Sequence, residues 1–136
     1  MVTRVEEALA WAESVDKLLQ CKKGQMVFGE FLKTEYSEEN ILFWLACEQY
    51  KKVQSISEMR ATANRIYSEF VQVDAPRQIN IDCGTREDIT ESVSHPTRAS
   101  FDRAQRLIYR LMAKDSYPRF LKSDIYRTLL KQSERR

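Results

Sequence analysis

SEENILFWLACEQYKKV, Ser37 to Val53, is the stretch whose reading decides the fold. Its centre, Ile41 to Cys47, is seven consecutive apolar residues set between charged flanks. Taken alone, ILFWLAC fits a buried strand as well as a buried helix, because so short a run carries no periodicity. The flanks select the helix. Ser37 suits an N-cap, which places Glu38 and Glu39 in a first turn where the dipole favours negative charge. Lys51 and Lys52 then fall in the last turn, where positive charge is favoured. A helix that is apolar on nearly every side has to be covered on more than one. The stretch is therefore expected to be the central helix of the fold.

Upstream, Thr34-Glu35-Tyr36 forms a polar link, and Val27, Phe28, Phe31 and Leu32 have the spacing of a short amphipathic helix. Gly24, after Lys22 and Lys23, is the expected stop of the helix before it. That N-terminal segment opens with Thr3 and Glu6 at capping-box spacing, which starts a helix at Arg4. Val5, Leu9, Ala12, Val15 and Leu19 would form its apolar side, with Trp11 and Leu18 beside them, as one helix or two.

Downstream, Ser55 and Glu58 repeat the capping-box spacing and open a helix whose buried stripe is Met59, Ala63, Ile66, Tyr67 and Phe70. VDAPRQINIDCG follows without helical period. Irregular stretches of this length are uncommon in compact domains and are often functional. Thr85 and Asp88 suggest the next N-cap, for a short helix over Ile89 and Val93, which His95-Pro96-Thr97 breaks. Thr97 caps a strong helix with Phe101, Ala104, Ile108 and Leu111 or Met112. Lys114-Asp115-Ser116 interrupts it, and Pro118 fits the first turn of a short helix carrying Phe120 and Leu121. Ser123 begins the last helix, through Ile125, Tyr126, Leu129 and Leu130, with a polar, fraying tail from Gln132. No segment alternates with period two for long enough to be a strand. The expectation is an all-α bundle of about eight or nine short helices.

At 136 residues, 43% hydrophobic and 31% charged, the chain fits a single soluble domain with a real core. No apolar run approaches the ~20 residues that cross a bilayer, and the N-terminus does not resemble a signal peptide. Cys21, Cys47 and Cys83 lie far apart without metal or redox spacing, which points to free thiols in a reducing, intracellular compartment. The net charge of +2 hides an asymmetry. Arg98 to Arg136 holds 11 Lys and Arg against 4 Asp and Glu, a local +7 that leaves −5 on the rest. That fits solvated helix faces or a surface near an anionic membrane. Nucleic acid is disfavoured, since no basic run is interleaved with stacking aromatics.

Catalytic chemistry is poorly represented. The one histidine, His95, precedes a proline in a loop and has no nucleophile or acid at a suggestive spacing. It cannot complete a usual zinc site with cysteines so spaced, so no metal is expected. Gly24, Gly29 and Gly84 make no phosphate-cradling loop. Glu38 and Glu39, being adjacent on a helix, point in different directions and make no acid-base pair. Cys47 is expected to pack. The informative residues are polar ones at the ends of apolar helices, where binding surfaces commonly lie.

Three segments, FLKTEYSEENILFWLACEQYKK, APRQINIDCGTRE and FDRAQRLIYRLMAKDSYPRFLKSDIY, together resemble the RGS domain, the regulator of G-protein signalling fold. The resemblance runs from Trp11 to Leu130 and is closest to the small single-domain subfamily. It implies one domain over residues 1–136 with a core of about 11–130 and a polar tail from 131, built of about nine helices as an antiparallel four-helix bundle plus a smaller lobe of terminal helices. It also implies a GTPase-activating protein for heterotrimeric Gα subunits, monomeric, with no cofactor and no active site of its own. In the family, three interhelical loops grip the switch regions of Gα. Carried over residue by residue, these are Glu35, Tyr36, Ser37, Glu39 and Asn40; then Asn80 and Asp82; then Leu111, Asp115, Ser116 and Arg119. The residue matching Asn80 reaches the catalytic glutamine of Gα, and Arg119 is expected to support its loop by pairing with Asp115 or with Gα.

Each assignment has a plainer alternative. Ser37, Glu39 and Asn40 suit any helix N-terminus, and Asp115 and Ser116 suit simple caps. Asn80, between Ile79 and Ile81, has no obvious structural duty. Ser37, Asp115 and Lys122 are the residue types that accompany action on the inhibitory class, so Gαi and Gαo are the expected partners and Gαq is permitted. Lys51, Lys52 and the basic C-terminal third are candidate contacts for acidic lipid, at the inner face of the plasma membrane. The amphipathic helix that anchors some relatives is not visible, so the sequence is expected to be a fragment or a trimmed form of a longer chain. A scaffold that binds Gα or a receptor without speeding hydrolysis is the alternative from another class.

Overall fold

The computed structural model describes residues 4–134, which carry helices and turns and no strand. The helices are α1 (Val5–Ala10), α2 (Val15–Gln20), α3 (Lys22–Thr34), α4 (Glu39–Tyr50), α5 (Ile56–Ile66), α6 (Cys83–Ser92), α7 (Asp102–Leu111), α8 (Tyr117–Leu121) and α9 (Asp124–Glu134). Two widened helical turns of the i→i+5 kind, Tyr67–Val71 and Met112–Ser116, extend α5 and join α7 to α8. The all-α expectation holds, as a bundle unit and a unit of terminal helices.

The bundle unit, residues 39–110, holds α4, α5 and α6 and all of α7 but its last residue. Ile41, Phe43, Cys47 and Tyr50 of α4 are buried, and Leu42, Trp44, Leu45 and Ala46 between them are half-buried, as a helix apolar on most sides requires. Phe43 meets Phe70 edge-on at 5.6 Å, and Tyr50 meets Phe101 at 5.1 Å while its hydroxyl donates to the Thr97 carbonyl at 2.5 Å. Ser55 caps α5 by accepting from the Glu58 N–H at 3.1 Å. The lysines expected in the last turn of α4 sit in the turn just beyond it, where Lys51 pairs with Glu48 at 3.1 Å.

The other unit holds residues up to 38 and from 111 onward. Phe120 is its centre, edge-on to Phe28 at 5.3 Å and Phe31 at 5.7 Å, and 5.1 Å from Tyr126. Two tyrosine hydroxyls satisfy carbonyls near the end of α1: Tyr126 donates to Ala8 and Tyr117 to Trp11, each at 2.5 Å.

The N-terminal segment is two helices, one of the two arrangements expected. Several local expectations are corrected. The turn over residues 11–13 changes the phase. Trp11, Ala8 and Leu18 are buried, while Ala12 is exposed and Leu9 half-exposed. The capping role of Thr3 lies outside the described residues. Gly24 does not end a helix: it lies in the first turn of α3, where a Cβ would come within 2.5 Å of the Leu18 carbonyl. Close packing, not termination, is its reason. The N-cap expected at Thr85 is at Asp82, whose carboxylate accepts from the Thr85 N–H at 3.0 Å and its hydroxyl at 2.7 Å. Lys114-Asp115-Ser116 widens the helix instead of ending it. The tail from Gln132 continues α9 to Glu134, with Ser133 buried and donating to the Leu129 carbonyl at 2.9 Å.

Candidate functional site

In the unit of terminal helices, α3 ends in a Schellman turn. The Ser37 N–H donates to the Leu32 carbonyl at 2.9 Å and the Tyr36 N–H to the Lys33 carbonyl at 3.2 Å. That motif places Tyr36 in the left-handed region, at φ 58°, where glycine is usual. A bulky residue there is strained, and such strain concentrates at functional sites. The Tyr36 side chain, 93% exposed, gains no packing in return. The N-cap role expected of Ser37 gives way to this turn: α4 begins two residues later, and the Ser37 hydroxyl donates backward to Leu32 at 3.4 Å.

The turn is tied to the segment after α7 through Arg119. Its guanidinium donates twice to Glu35, at 3.0 and 2.8 Å, and twice to Asp115, at 2.5 and 3.1 Å. Paired parallel bonds of this kind are the most directional that carboxylates make. The hydrogen bonds and charge of Arg119 hold the Asp115 carboxyl below its ordinary range, against a smaller opposing effect of desolvation. Glu35 and then Asp115 hold Arg119 firmly protonated. The expected pairing of Arg119 with Asp115 is present, and Glu35 joins it. Leu111 is partly exposed, and Ser116, in the widened turn, is buried.

In the bundle unit, Glu39 and Asn40 open α4. Asn40 is only 6% exposed, and its amide makes no hydrogen bond to a described residue. The loop over residues 72–82 is irregular but pinned. The Arg77 N–H donates to Glu69 and the Ile79 N–H to Phe70, each at 2.9 Å, and Ala75, Ile79 and Ile81 are buried. Between the two isoleucines, Asn80 is exposed and has no intramolecular hydrogen bond among the described residues. Asp82 caps α6, and the hydroxyl and N–H of Thr85 lower its carboxyl below the usual range.

Among the candidate residues, Glu35, Ser37, Asp82, Asp115 and Arg119 thus have structural duties on view. The Tyr36 ring and the side chains of Glu39, Asn40, Asn80, Leu111 and Ser116 have no hydrogen-bonding or ionic duty within the described residues. Lys51 and Lys52 are exposed. Both widened turns adjoin candidate segments, one leading into the Asn80 loop and one carrying Asp115 and Ser116. Such turns often mark functional places, yet no residue pattern in the sequence announces them. Among the described residues no helix is long and apolar enough to cross a membrane.

A family model of the regulator of G protein signaling domain matches residues 14–129. The chain is 51% identical over 128 residues to human regulator of G-protein signaling 21, covering 94% of this chain and 84% of that protein. It is 53% identical over 131 residues to mouse regulator of G-protein signaling 8, covering 96% and 73% respectively. Horse regulator of G-protein signaling 1 is 54% identical over 129 residues, covering 95% and 65%. With the all-α fold and a family match over most of its length, the chain belongs to the regulator of G protein signaling domain family.

Proposed function

We propose that this chain is a GTPase-activating protein for heterotrimeric G-protein α subunits, acting on Gαi and Gαo, with Gαq permitted. Gα carries its catalytic arginine in cis, so an activator need not supply one. It has to hold mobile switch segments and the water-orienting glutamine in the geometry of the transition state, which is catalysis by positioning and preorganised polar contacts. Short polar side chains on braced turns suit that work. Asn80 contacts the glutamine, Asn40 and Ser116 offer buried polar atoms to a switch backbone, and the Tyr36 ring and Leu111 supply apolar contact. Glu35, Asp115 and Arg119 form a rigid rim, and Ser37, Glu39 and Asp82 complete the contacts. The protein works as a monomer, without cofactor, at the inner face of the plasma membrane, with Lys51 and Lys52 as contacts for acidic lipid.

The observation that carries the reading is Asn80: an exposed amide with no intramolecular hydrogen bond among the described residues, on a loop anchored by buried residues on both sides, in a chain of this family. The test is single-turnover hydrolysis of GTP preloaded on Gαo, with wild type and with Asn80→Ala. Acceleration by wild type that falls about 100-fold in the variant is the expected result, the size for losing one positioned polar contact. Tight binding to the aluminium fluoride state of Gα without acceleration would make the protein a scaffold. Neither binding nor acceleration with any Gα would sink the reading.

A further inference from the structure

Asn80 can orient a glutamine only if its own backbone is fixed, and buried isoleucines fix side chains better than they fix a peptide plane. The Ile79 N–H to Phe70 bond fixes the peptide before Ile79, and the device that reaches the Ile79–Asn80 peptide itself is Arg86, one turn into α6. Its Nε donates to the Val71 carbonyl at 2.9 Å, and its Nη2 makes a longer 3.5 Å bond to the Ile79 carbonyl. Val71 is the last residue before the loop and Ile79 is the residue before Asn80, so one planar guanidinium spans the loop's entrance and the peptide that carries Asn80. Arg86 forms no ion pair among the described residues, so no carboxylate there competes for its donors. Its helix is held in place at that same end, where Asp82 caps α6 and the Arg86 N–H donates to the Asp82 carbonyl at 3.1 Å. Asn80 therefore lies on a short span, closed at one side by the cap and at the other by the guanidinium. We infer that Arg86 is a positioning residue for activation, holding the Ile79–Asn80 peptide in the orientation that Asn80 needs.

The inference rests on the proposed function, and it separates from it experimentally. A guanidinium fork reaches two carbonyls where an ammonium reaches one. Arg86→Gln is therefore expected to lower the maximal single-turnover rate on Gαo about tenfold, as displacement of a positioned group by a fraction of an ångström does. Arg86→Lys should fall between the two. The half-saturating concentration should change little, because the other contacts remain. In the Asn80→Ala background Arg86→Gln should add nothing further, since it acts through that side chain. Multiplying effects in the double variant would overturn the proposal, as would a purely half-saturation effect. A second readout does not depend on Gα: in the free protein, Arg86→Gln should shift and broaden the amide resonances of Ile79, Asn80 and Ile81 while the α4 signals stay in place. Unmoved Asn80 resonances would overturn the proposal whatever hydrolysis shows. Moved resonances with a wild type inert on every Gα would uphold the brace and sink the activator reading.

Discussion

Tyr36 is the residue where backbone geometry and side-chain type pull in opposite directions. Its left-handed backbone closes α3 and would suit glycine, yet an exposed aromatic ring stands there. Left-handed geometry costs a bulky residue about 1–2 kcal/mol, and glycine returns about 0.5–1 kcal/mol of that as chain entropy. Tyr36→Gly is expected to leave thermal stability unchanged or higher while weakening association with Gα about tenfold, the scale of a buried aromatic contact. Melting curves alongside binding to the aluminium fluoride state test both halves, and a clear loss of stability would contradict the strain argument. Asp82 carries a different signature. Its folded carboxyl is lower than in the unfolded chain, chiefly through the Thr85 hydroxyl and N–H. Its stabilisation is therefore whole above the unfolded range of about pH 4 and is lost as pH falls through the depressed folded value. Asp82→Asn keeps a cap at neutral pH. It should flatten the acid side of the stability profile below about pH 4 relative to wild type, by urea unfolding.

At the scale of the element, Gly24 shows why a residue's general habit is a poor guide to its role. Inside a helix, glycine to alanine usually gains about 1 kcal/mol. Here a Cβ would meet the Leu18 carbonyl at 2.5 Å and Trp11 at 3.1 Å, because α2 and α3 are joined by the single extended residue Cys21. Gly24→Ala is expected to destabilise by about 1–3 kcal/mol, as overpacking does. A shift of the urea midpoint upward would refute the close approach. The cap of α6 teaches the same lesson. Thr85 and Asp82 are both capping residue types, and only the fold showed that Thr85 turns inward, 1% exposed, with its hydroxyl spent on Asp82.

For the whole molecule, the exposed lysines just beyond α4 give a testable consequence. Each lysine near an anionic surface contributes roughly a few-fold in affinity, so Lys51→Glu with Lys52→Glu should cut binding to phosphatidylserine vesicles at least tenfold at low salt. Sedimentation at rising ionic strength checks it. Unchanged binding would assign those lysines to solvent.

What the sequence determined by itself is the helical chain: α4 from its charged flanks, α5 from Ser55 and Glu58, the long irregular stretch before α6, and, through three matched segments, the family. These are local or contiguous features, written in residue type and spacing. The tertiary structure decided the rest. Only it put Leu9 outward and Trp11 inward, turned Gly24 from a stop into a contact, moved a cap from Thr85 to Asp82, widened two helical turns, and joined Arg119 to Glu35 as well as Asp115. It also placed Arg86 across the loop that carries Asn80. Each depends on which atoms meet once the chain is folded, and spacing along a sequence carries no record of that.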